Sequence, residues 1–72
     1  MCLLKVYVEN TEGGDRTLIA KNVAYISLDN GVFRILDVDG KEKNISGADF
    51  LMIDAVNSTF VLKARREIKV RG

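Results

Sequence analysis

Apolar and polar residues alternate along the first nine positions of the chain. Cys2, Leu4, Val6 and Val8 fall on one side, and Lys5, Tyr7 and Glu9 on the other. A period of two is what a strand half-buried against a core requires. The polar run Asn10-Thr11-Glu12-Gly13-Gly14-Asp15 then reads as a flexible hairpin loop. Arg16 to Ala20 forms a second strand, closed by Lys21-Asn22, and Val23 to Leu28 forms a third. Asn30-Gly31 is the pair favoured in type I′ turns, where both central residues need positive φ. Val32 to Val38 returns as a fourth strand. Asp39-Gly40 repeats the turn signature before a more polar strand from Lys41 to Ile45.

Ser46-Gly47-Ala48-Asp49 interrupts the alternation and suggests a single helical turn. Phe50 to Val56 is nearly continuous apolar sequence, which predicts a strand covered on both faces or at an interface. Asn57-Ser58 turns the chain into Thr59 to Lys63, and the basic stretch from Ala64 to Gly72 extends that strand or frays. The result is an all-β single domain, a small barrel or rolled antiparallel sheet of about seven short strands. A β domain over residues 1–63 is expected, with residues 64–72 as a basic C-terminal tail or strand extension.

Length and composition sharpen this picture. Seventy-two residues hold one core, and a chain of that size buries only roughly 60% of the surface it exposes when unfolded. Apolar residues make up 47% of the chain, enough for a globule that completes its core by pairing with a second copy. The net charge of +1 gives no prior for nucleic acid or an anionic membrane. No apolar run approaches the ~20 residues of a membrane span, and the first residues lack the pattern of a signal peptide. The expectation is a soluble, cytoplasmic protein.

The residues absent from the chain exclude whole classes of chemistry. There is no histidine, so Ser-His-Asp triads, Cys-His pairs and His-based zinc sites cannot form. With one cysteine there is no internal disulfide. No nucleophile with a base and no carboxylate pair can be assembled, so the chain is not read as an enzyme. Asp37-Val38-Asp39-Gly40-Lys41-Glu42 looks like the start of a calcium loop but is too short for the 12 or so residues such a loop needs.

Two features remain. Cys2 is either a small buried apolar residue, as free cysteines commonly are, or a functional thiol. Its position beside the α-amine favours chelation: the Met1 amine, the next amide nitrogen and the Cys2 thiolate close two adjacent five-membered rings on one metal. With Met1 removed, the Cys2 amine and thiolate close a single ring. Such nitrogen and sulfur donors suit nickel(II) or copper(II) better than zinc. The other feature is the basic cluster Arg65, Arg66, Lys69 and Arg71, read as a solvated end or as a phosphate contact. Tyr7, Tyr25, Phe33, Phe50 and Phe60 are spread over separate strands and read mostly as core.

The opening Met1-Cys2-Leu3 with Lys5-Val6-Tyr7-Val8-Glu9 resembles the CooT-type small nickel-binding proteins, which begin Met-Cys and run straight into a strand. The likeness continues through Val23-Ala24-Tyr25-Ile26, Gly31-Val32, Asp37 to Lys43, Ile53-Asp54 and Val61-Leu62, and covers residues 1–63. Val38 and Asp39 stand where the family often has Leu-Phe, and the basic tail departs from the pattern. The resemblance implies a homodimeric β protein that binds Ni(II) through Cys2, with Met1 contributing its amine if retained. It implies a metal carrier or metallochaperone role, with a nickel enzyme, carbon monoxide dehydrogenase, as client. The family also carries a label of predicted RNA-binding protein, so the alternative is an RNA-binding small barrel using Arg65, Arg66, Lys69 and Arg71. Phe50 to Val56 is the expected dimer interface.

Overall fold

A computed structural model describes residues 3–72, the side chains of Arg66 and Glu67 excepted. The chain forms five strands, β1 (Leu4–Glu9), β2 (Arg16–Asp29), β3 (Val32–Asp37), β4 (Glu42–Asp54) and β5 (Thr59–Arg71). They close into a barrel in the order β1-β2-β3-β4-β5. Neighbours along the chain pair antiparallel, and the barrel closes where β1 runs parallel to β5, Lys5 opposite Thr59 through Glu9 opposite Lys63. Closure removes most of the open strand edges that a small sheet would otherwise present, the first half of β2 excepted.

The all-β barrel is as expected, but the strands are fewer and longer. The segments 16–20 and 23–28 are one strand, bent at Asn22, whose φ is 55°. Register shifts against β1 and β3 fall on either side of this residue. Asparagine tolerates the left-handed region, so it takes the bulge position and lets the strand turn a barrel corner without leaving the ladder. The same happens at Gly47, with φ 80° and a register shift between Ser46 and Ala48. The helical turn expected at residues 46–49 is therefore a bulged strand, and residues 42–54 are continuous. Beyond Lys63, β5 stays paired with β4, Ser46 opposite Lys69 and Asn44 opposite Arg71.

The two tight turns differ. Asn30 and Gly31 both have positive φ, 51° and 76°, as a two-residue type I′ hairpin requires. At the second, Gly40 alone is positive, at 84°. That turn is held instead by the Asp37 carboxylate, whose Oδ1 accepts the Asp39 N–H at 2.9 Å and the Lys41 N–H at 3.0 Å.

The core is small and aliphatic. Val6 and Val8 of β1, Val23 of β2, Phe33 and Ile35 of β3, Ile45 and Ala48 of β4 and Leu62 of β5 pack together inside the barrel. Val61 is also fully buried. It stands opposite Tyr7 and Met52, on the other side of the strand from Leu62. No helix among the described residues is long and apolar enough to cross a membrane.

Candidate functional site

The barrel has two unlike ends. One carries the start of β1, the end of β2 and the β4–β5 turn. There the Lys5 N–H donates to the carbonyl of Ser58 at 2.9 Å, which joins the first strand to the turn. The turn is ordered by the Asp54 carboxylate, which accepts the Asn57 side-chain amide at 2.7 Å and the backbone N–H groups of Val56 and Asn57 at 3.1 and 3.2 Å. These bonds, the Asn57 side chain first, hold the exposed Asp54 carboxyl below its ordinary pKa.

This end is apolar and uncovered. Leu28 stands opposite the buried Phe33, Phe50 opposite the buried Leu62, and Ile53 opposite Phe60. By this register they share the interior-facing side of their strands, yet Leu28, Phe50 and Ile53 are 60%, 53% and 54% exposed. Phe60 links them to the core, with ring centroids 6.3 Å from Phe33, edge-on, and 5.4 Å from Phe50. Val56, in the turn, is almost wholly exposed. The 50–56 segment is thus not covered on both faces within one chain, and Phe50 and Tyr25 are surface aromatics, not core. Pairing chemistry explains what the sequence pattern missed: the aromatics lie on separate strands, but the register of β4 on β5 brings Phe50 to Phe60.

Met1 and Cys2, the expected metal ligands, lie outside the described residues. Among the described residues no cluster of three or more His, Cys, Asp or Glu side chains could hold a metal ion. The expected nucleic-acid residues all lie on β5. Arg65 is paired with Asp49 at 3.3 Å, Lys69 faces Ser46 and Arg71 faces Asn44, while the Arg66 side chain lies outside the description. Lys63 stands between Glu9 and Asp49 on its neighbouring strands, and Arg16 pairs with Glu9 at 3.1 Å. Acid and base alternate along this stretch of the outer wall.

The CooT family model, described as CO dehydrogenase accessory protein CooT, matches residues 1–63. The chain belongs to the CooT family. The match takes in the Met1-Cys2 opening and runs up to the middle of β5, so in this CooT-family chain the last eight strand positions, Ala64 to Arg71, lie past the matched region. A comparison with curated proteins finds no match.

Proposed function

We propose that this protein is a nickel(II)-binding accessory protein that carries the ion to a nickel enzyme, carbon monoxide dehydrogenase, and catalyses nothing itself. Membership of a family of CO dehydrogenase accessory proteins carries the reading, because CO dehydrogenase is a nickel enzyme. The donor chemistry supports it. Cys2 is the only thiol and there is no imidazole, so the anionic soft donor is its thiolate, joined by the Met1 amine if Met1 is retained.

One chain supplies too few such donors to complete a site, and two copies supply twice the number. The apolar end offers the means to bring them together. The chain enters β1 beside the Ser58 turn, at the end where Leu28, Phe50 and Ile53 are exposed. A homodimer burying that end sets two chain starts against one interface, and the closed barrel behind them holds each in register. Thiolate binding displaces a proton, so nickel affinity falls as pH is lowered.

Titration with Ni(II) tests the reading. A thiolate-to-nickel charge-transfer band is expected in the parent protein and absent in Cys2→Ala. Equal affinity in the two proteins sinks the assignment, and the mass of the intact chain settles whether Met1 is retained.

A further inference from the structure

The opposite end of the barrel is built from different residues. There the first half of β2 pairs with β1 alone among the described strands, because its ladder with β3 begins only at Val23. A cavity of about 500 Å³ opens between this half of β2 and the β3–β4 hairpin. That is within the size range of small-ligand pockets. Leu18, the core residue Ile35, Lys21, Lys41 and Lys43 line it, and Gly72 completes the rim.

The lining is cationic and its charge is unbalanced. None of the three ion pairs of the described side chains involves Lys21, Lys41 or Lys43. The one side-chain carboxylate on the lining, Asp37, accepts the backbone N–H groups of Asp39 and Lys41. The half-buried Lys43 reaches across the gap and donates from Nζ to the carbonyl of Ile19 at 2.6 Å. An ammonium drawn out of water with only a neutral carbonyl as partner favours an anion beside it.

We propose that this cavity binds a small organic anion, its apolar body resting on Leu18 and Ile35 and its anionic head among Lys21, Lys41 and Lys43. The described lining includes neither Met1 nor Cys2, so the cavity is tested separately from nickel binding.

The test is a titration of the ¹⁵N-labelled protein with naphthalene-2-sulfonate, followed by amide shifts. Neutral 2-naphthol and inorganic sulfate serve as controls for the ring alone and the head alone. Saturable shifts centred on Leu18 to Lys21, Ile35 and Lys43 are expected, with either control weaker by about tenfold or more. Lys21→Met and Lys41→Met remove ammonium groups that make no hydrogen bond to the described residues, and each should weaken binding by about three- to tenfold. They keep the test valid if Lys43→Met disturbs the fold by uncapping Ile19. Three results overturn the proposal: no saturation by about 10 mM, equal binding of 2-naphthol, or shifts centred on Phe50 and Ile53 instead.

Discussion

The backbone N–H of Lys5 donates to the Ser58 carbonyl, and Ser58 accepts it from a left-handed conformation, φ 51°. A non-glycine residue there is strained, and a β-branched one more so. Ser58→Gly should leave stability unchanged or raise it, whereas Ser58→Val should cost about 1–2 kcal/mol. Chemical denaturation of the two variants measures the difference.

The exposed end predicts a concentration-dependent assembly. Phe50→Glu and Ile53→Lys place charge on a surface whose burial the dimer requires. Sedimentation should show association weakened by about tenfold or more, the cost of burying an unpaired charge. Both side chains are half-exposed, so unfolding of the isolated chain should shift by only about 1 kcal/mol, most of it at Phe50, which packs on Phe60. A monomeric parent protein at all concentrations removes this interface.

Ile45 is fully buried and faces Phe33 on one side and Val70 on the other. Truncation to alanine leaves a hole in a core too small to collapse around it. Ile45→Ala should cost about 2–5 kcal/mol, a large share of the stability of a domain this short. Thermal unfolding followed by circular dichroism reads this directly.

The Asp54 turn carries a pH signature. Its carboxyl titrates below the ordinary value in the folded chain, chiefly because of the bond from the Asn57 side chain. The charged form is therefore favoured in the fold, and the stability it contributes is present above the unfolded pKa and lost as pH falls through the folded one. NMR titration should place the Asp54 pKa below that of a model peptide, and Asn57→Ala should move it upward. The carboxyl lies at the surface, so the effect on stability stays small.

Much of the fold was legible from alternation and turn chemistry. The period of two in residues 4–9 and the Asn30-Gly31 pair correspond to a half-buried strand and a type I′ hairpin. The polar breaks at Lys21-Asn22 and Ser46-Gly47 misled, because a left-handed bulge residue and a loop residue draw on the same amino acids. Only closure of the barrel decides which they become. The apolar run from Phe50 pointed to an interface, but which of its side chains would be left uncovered depends on register with β5. Lys21, Lys41 and Lys43 were invisible as a group, since they come from β2, the β3–β4 turn and β4 and meet only across the gap beside β2. Cys2 is proposed from the sequence and lies outside the described residues.

The parallel pairing of β1 with β5 joins residues 54 positions apart, Lys5 and Thr59. Every other strand pair in the barrel joins consecutive strands and can zip from its connecting turn. Closure must therefore await the far end of the chain, and the loop it closes spans most of the molecule. During synthesis the first strand emerges earliest and is locked last. Until β5 has formed, the segment leading to the proposed thiolate has at most one neighbour, β2. The mount of the proposed nickel site is thereby completed only with the fold itself.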